Sequence, residues 1–160
     1  AYEMRLLTGV QTCALPISKC NCGNYGCFEA LASGTAISKR AEEAVESGRD
    51  TSLLNYFKIT SYEVFKEAEK GDSVSRHIID SSLEYLGIGI ANIITLFDPE
   101  VIILGGGVMK AGQIIFDRIK EVVDQRCFKN MASACKIVPS ALGEKSGVIG
   151  AIALAMMETE

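Results

Sequence analysis

The chain has 160 residues, a net charge of -4 at pH 7, 22% charged and 48% apolar residues, an ordinary make-up for one globular domain and one that offers no basic patch for nucleic acid. Its longest apolar run, around residues 86–97, is interrupted by Gly87, Gly89 and Asn92 and falls short of the roughly 20 apolar residues that a membrane-spanning helix needs. Six cysteines are too few and too clustered for a disulfide scaffold at this length, which points to a reducing, cytoplasmic compartment.

Residues 1–18, AYEMRLLTGVQTCALPIS, show no clean helical or strand period and are set aside as a leader outside the fold, together with Cys13. A secretory signal is excluded because Thr8, Gly9, Gln11 and Thr12 break the apolar stretch and no basic cluster precedes it. The piece RLLTGVQTCALPI resembles a translated sequencing adapter.

The organising stretch follows, C-N-C-G-N-Y-G-C-F-E from Cys20 to Glu29. Gly23 and Gly26 let the backbone fold tightly enough to aim the thiols of Cys20, Cys22 and Cys27 at one point, the geometry of a metal knuckle. No fourth ligand is evident, since the only histidine, His77, lies far along the chain. The bland alternative is three reduced thiols in a glycine-rich turn.

Beyond the knuckle, the spacing predicts helices over residues 28–33 and 35–45, broken at Gly34, with Leu31, Ile37, Ala41 and Ala44 as their apolar face. Residues 49–60 read as a polar loop anchored by Leu53, Leu54 and Tyr56. Thr60 and Glu63 form a capping-box pattern opening a short helix to about Lys70, and Gly71-Asp72 stops it and caps the next. That next helix, residues 73–97, turns apolar nearly all round in its second half, so this half is expected to be central and buried. Gly87 and Gly89 cost helix propensity there, which makes sense only where another element packs very close. His77 falls on its polar first half and is expected at the surface.

Asp98-Pro99 ends the helix. Val101-Ile102-Ile103-Leu104 is a continuous β-branched run, typical of a strand buried on both faces. Gly105-Gly106-Gly107 then turns into a helix over about 112–125. Strand, glycine turn and helix can expose backbone N–H groups to a phosphate or a base. The pattern is neither a Walker loop nor the dinucleotide fingerprint, since Lys110 stands where the latter needs glycine, and a plain tight turn remains the alternative. A second strand is expected over residues 136–139 and a small-residue helix, able to lie tightly on a sheet, over 146–157. Cys127 and Cys135 read as ordinary buried thiols.

Three phrases carry a resemblance: C-x-C-G-x-x-G-C-x-E followed by A-L-A-S-G-T-A-I, then L-F-D-P-E-V-I-I-L-G-G-G-V, and the closing A-L-G-E-K-S-G-V-I-G-A-I-A-L-A. Together, over about residues 19–157, they resemble the ROK family of bacterial sugar kinases, glucokinases among them, and sugar-responsive repressors. Lys145 and Ser146 depart from the pattern, standing where small or acidic residues are commoner. The resemblance implies an α/β, actin-like (ribonuclease H-like) architecture, of which residues 19–160 form an incomplete second, C-terminal lobe, helix-rich with a small mixed sheet.

It further implies structural zinc on Cys20, Cys22 and Cys27, sugar hydroxyls on Glu29, and ATP with Mg²⁺ beside Gly34, Thr35, Gly105, Gly106 and Gly107. The implied partners are a hexose, glucose foremost, and ATP, in a homodimer. The family's Gly-Glu-x-Gly-His, whose His is the fourth zinc ligand, its catalytic Asp in an Asn-Asp pair and its Asp-x-Gly-Gly-Thr phosphate loop are not found in this sequence, so no catalytic residue is assigned and the isolated chain is expected to be inactive. The alternative is the sugar-sensing lobe of a ROK repressor. A free-standing zinc module fits least, because a strand such as residues 101–104 needs sheet neighbours; an apolar exposed face and poor solubility are expected instead.

Overall fold

A computed structural model of the chain describes residues 18–157. The proposed leader, apart from Ser18, and Cys13 with it, lies outside the described residues. Seven helices and two strands follow in order: α1 (Phe28–Ala32), α2 (Gly34–Glu46), α3 (Ser61–Glu69), α4 (Ser73–Phe97), β1 (Val101–Leu104), α5 (Gln113–Arg126), α6 (Lys129–Ala134), β2 (Lys136–Pro139) and α7 (Ser146–Met157).

The spine is α4. Its start is set by Asp72, whose side chain accepts from Ser75 N at 2.7 Å, and its end by Asp98, which takes the left-handed conformation at φ 43°. Asp tolerates that conformation better than most residues, through a short side chain that hydrogen-bonds locally. Helices α1, α2, α3, α5 and α6 all touch α4, and Ile79, Leu83, Ile90 and Ile94 on α4 meet Ile37, Val64, Ile115, Ile119 and Val123 in the core.

Both glycines of α4 sit at close approaches. A Cβ on Gly87 would lie 2.6 Å from Val122 Cβ of α5, and one on Gly89 would lie 2.6 Å from Phe28 Cζ of α1. Real Cβ contacts are essentially never so short: at Gly87 the space is filled by Val122 at its Cβ, so glycine is needed there, whereas at Gly89 the tip of the half-exposed Phe28 ring would have to shift.

Strands β1 and β2 pair in parallel, Val101 opposite Lys136 through Leu104 opposite Pro139, with α5 and α6 as the crossover that a parallel pair requires. The sheet is small, as expected, and its two described strands are parallel rather than mixed.

Several expectations are corrected. The break between α1 and α2 falls at Ser33, whose hydroxyl caps α2 by accepting from Ala36 N at 3.1 Å; Gly34 is already helical. In the loop after α2 a 3-10 turn, Ser52–Asn55, buries Leu53 while Leu54 is exposed. The second half of α4 is buried on one face only, with Ile93, Leu96 and Phe97 exposed on the other. Likewise β1 is covered on one face: Ile102 and Leu104 pack against the core, and Ile103 is 64% exposed. A 3-10 turn, Gly107–Ala111, stands between the glycines and α5. Helix α7 buries no residue, and a Cβ on Gly147 or Gly150 would meet nothing within 4 Å, so among the described residues it lies on no sheet. Cys135 is buried and Cys127 only half-buried. His77 is exposed, as expected, and no helix of the described residues is long and apolar enough to cross a membrane.

Candidate functional site

The knuckle is closed by its own backbone. Cys20 N donates to Asn24 O at 2.8 Å, Gly23 N to Cys20 O at 3.0 Å and Gly26 N to Ser18 O at 3.0 Å. Gly23 and Gly26 take φ of 93° and 70°, left-handed values that glycine adopts without strain. The three sulfur atoms of Cys20, Cys22 and Cys27 consequently lie within 4.8 Å of one another, and Cys22 Sγ is 3.5 Å from Cys27 Sγ. With Zn–S bonds near 2.3 Å, tetrahedral geometry puts ligand sulfurs roughly 3.8 Å apart. The cluster fits a metal ion with little movement.

The thiols are electrostatically unequal. At Cys20 the Cys22 backbone amide lowers the pKa, but the Glu29 carboxylate and the neighbouring sulfurs outweigh it and push the thiol up to about 12. Its Sγ donates to Glu29 Oε2 at 3.1 Å. Cys22 is lowered, first by the Asn24 amide and then by hydrogen bonds from the other two sulfurs. Cys27 is raised, chiefly by its bond to Cys22. Of the three thiols, only that of the exposed Cys22 is lowered.

Glu29 stands in the first turn of α1 and lines two clefts. The first, about 310 Å³, brings it together with Cys20, Ser33, Thr35 and Arg40. The second, about 390 Å³, brings it together with Phe28, Gly34 and Gly105, Gly106 and Gly107. Every residue singled out from the sequence except Cys22 and Cys27 therefore lines one of two adjoining clefts, and those two complete the knuckle at their edge. Gly34 makes the junction possible: a Cβ there would lie 2.8 Å from Val108 Cγ2 and 3.2 Å from Ser61 Oγ. Gly106, at φ 102°, turns the chain after β1 so that the three glycines face the cleft.

Arg40 is a site residue that the sequence reading missed. Its guanidinium donates to Ser81 Oγ at 2.9 Å, to Leu31 O at 2.9 Å and to Ser82 Oγ, tying α1 and α2 to α4. Burial works against its charge and lowers its pKa. Its position three residues after Ile37 and next to Ala41, both fully buried, places it at the margin of the apolar stripe, which was the available signal.

The chain superposes on solved ROK kinases with TM-scores of 0.66 and 0.69 at 27% identity, which gives it the actin-like fold of sugar kinases and their relatives. The family model for the ROK family matches residues 11–158, and the chain belongs to that family. It is 36% identical over 135 residues to a glucokinase of Halalkalibacterium halodurans, covering 82% of this chain and 41% of that protein. It is 33% identical over 142 residues to a xylose repressor of Caldicellulosiruptor bescii, covering 87% of this chain and 36% of that one. Among solved structures it superposes with TM-score 0.69 and 27% identity on a ROK family glucokinase from Streptomyces griseus in complex with glucose and AMPPNP, covering 88% of this chain and 48% of the other. The chain thus spans less than half the length of each of these three proteins.

Proposed function

We propose that this chain is the second-lobe portion of an ATP-dependent, glucokinase-like sugar kinase that works in the cytoplasm. The observation that carries the reading is Glu29: one carboxylate at the meeting point of a polar cleft and a glycine-lined cleft. Glu29 accepts hydrogen bonds from sugar hydroxyls in the first, and Gly34, Thr35 and Gly105–Gly107 pack against the ATP-Mg²⁺ co-substrate in the second. Phosphoryl transfer is mostly positioning and charge stabilisation; these residues supply part of the positioning, and no group among the described residues is assigned as the base. The chain in isolation does not phosphorylate sugar.

Cys20, Cys22 and Cys27 hold a structural zinc ion, which fixes the loop that enters α1. Phe28, directly between Cys27 and Glu29, seats on Gly89, so a braced knuckle holds Glu29 in place. With zinc bound, the thiolate of Cys20 no longer donates to Glu29.

The test is ATP-dependent phosphorylation of glucose by the longer parent protein and by its Glu29→Gln variant. A loss of about tenfold or more in kcat/KM supports the role of Glu29, since a lost hydrogen bond to a charged group has that size. An unchanged kcat/KM overturns it.

The xylose repressor match supports a second reading, the sugar-sensing lobe of a ROK repressor. A parent protein that binds sugar through Glu29 and a DNA duplex, without consuming ATP, establishes that reading instead.

A further inference from the structure

Next to the Glu29 cleft, and sharing Arg40 and Glu43 with it, lies a second polar cavity, of about 350 Å³, between α2 and the first half of α4. Its lining includes Arg40, Arg49 and His77, the hydroxyl residues Ser47 and Ser81, and a single carboxylate, Glu43. Glu43 also lies 3.9 Å from Lys39, a loose pair between exposed side chains. All the acceptors that Arg40 finds are neutral: two hydroxyls and two backbone carbonyls. Among the described residues, no side-chain hydrogen bond or ion pair engages Arg49 or His77.

In a chain of net charge -4, a concave site with two guanidinium groups and an imidazole around a single carboxylate carries an excess of positive groups. Glu43 acts on the half-buried Arg40 guanidinium through space, yet no carboxylate accepts a hydrogen bond from it, so an anion that shares its site would stabilise it further. Guanidinium groups and hydroxyls around a cavity of this size suit a tetrahedral oxyanion.

We propose that this cavity is a second ligand site, separate from the Glu29 clefts, that binds a small phosphate-bearing anion through Arg40, Arg49 and His77. The shared chemistry is a phosphate dianion, either free or carried by a small sugar. Arg49 and His77 grip it from the rim, and Arg40 from the wall that the cavity shares with the Glu29 cleft.

The experiment is titration calorimetry of the purified longer parent protein with inorganic phosphate and, separately, with a hexose 6-phosphate, at fixed ionic strength against chloride. Arg49→Ala and His77→Ala, both at exposed positions, are compared in that protein with the unmodified form and with Glu29→Gln. Saturable binding that weakens by about tenfold or more in Arg49→Ala and His77→Ala, at unchanged melting temperature, is the expected result. Equal affinity for both probes means that free phosphate is enough; tighter hexose phosphate binding that survives Glu29→Gln means that the sugar adds contacts in the same cavity. No saturable binding of either probe, binding unchanged by Arg49→Ala and His77→Ala, or binding abolished by Glu29→Gln alone overturns the proposal.

Discussion

Glu67 is a buried carboxylate held by three donors. It is 5% exposed and accepts hydrogen bonds from Lys70 Nζ at 2.6 Å, Ser52 Oγ at 2.6 Å and Tyr56 Oη at 2.7 Å. Those donors, Lys70 first, hold its pKa at about 2 rather than 4.5. Because the folded value is depressed, the unfolded chain takes up the proton first as pH falls. The stabilisation is therefore complete above about pH 4.5 and is lost between there and pH 2. Melting temperature should fall across that window, and Glu67→Gln should flatten the fall while lowering the plateau at neutral pH. A Glu67→Gln profile parallel to that of the unmodified chain would count against this assignment. Asp72, which accepts from Ser52 N, Ser75 N and Thr51 Oγ1, is also lowered; burial opposes that shift and the hydrogen bonds outweigh it.

The thiols give a second prediction at this scale. Purified without chelator, the chain should carry zinc, and Cys22→Ser should lower the stoichiometry more than Cys135→Ser, because Cys135 lies outside the cluster. Metal analysis by mass spectrometry reads this directly. Neither Glu67 nor Arg40 was legible in the sequence as a network centre. Their partners lie up to 15 residues away for Glu67 and up to 42 away for Arg40, and no short-range spacing rule reports contacts of that range.

At the scale of elements, α4 was legible end to end. Asp72 is a strong cap and Asp98-Pro99 a strong stop, and its bounds are Ser73–Phe97 as read. The capping box of α3 is likewise present, with Thr60 N donating to Glu63 Oε2 at 2.9 Å. What the pattern of apolar residues did not reveal is which faces of α4, β1 and α7 are covered. Hydrophobic periodicity reports that a face must be hidden, not whether its cover lies in the same stretch of chain.

Glycine substitutions separate the two situations. Gly87→Ala forces a methyl group against Val122, and overpacking of about 1–3 kcal/mol exceeds the roughly 1 kcal/mol gained in helix propensity. Gly150→Ala, where the Cβ meets open space, should keep the propensity gain of about 0.5–1 kcal/mol. Denaturant midpoints of the two variants should therefore move in opposite directions.

The whole molecule presents an apolar surface that its own described residues do not cover: Val101 and Ile103 of β1, Leu96 and Phe97 at the end of α4, and Val148, Ile152 and Leu154 of α7 are all exposed. Large apolar side chains left exposed on three elements point to places where other polypeptide belongs. The expectation of an exposed apolar face, drawn from counting only two strands, is met. The chain should associate or precipitate at micromolar concentration, and Ile103→Lys should raise the monomer fraction seen by analytical ultracentrifugation. A monomer that melts cooperatively without substitution would contradict this.

The contact between Gly89 and Phe28 makes one backbone position in the middle of the longest helix a common gauge for two chemistries. Cys27 and Glu29 are the residues on either side of Phe28, so whatever displaces that ring moves the proposed metal ligand and the proposed sugar contact by the same lever. Gly89→Ala, far from both in sequence and identical in charge, should degrade zinc retention and sugar affinity together, and compounds that wedge beneath Phe28 would inherit the same double effect.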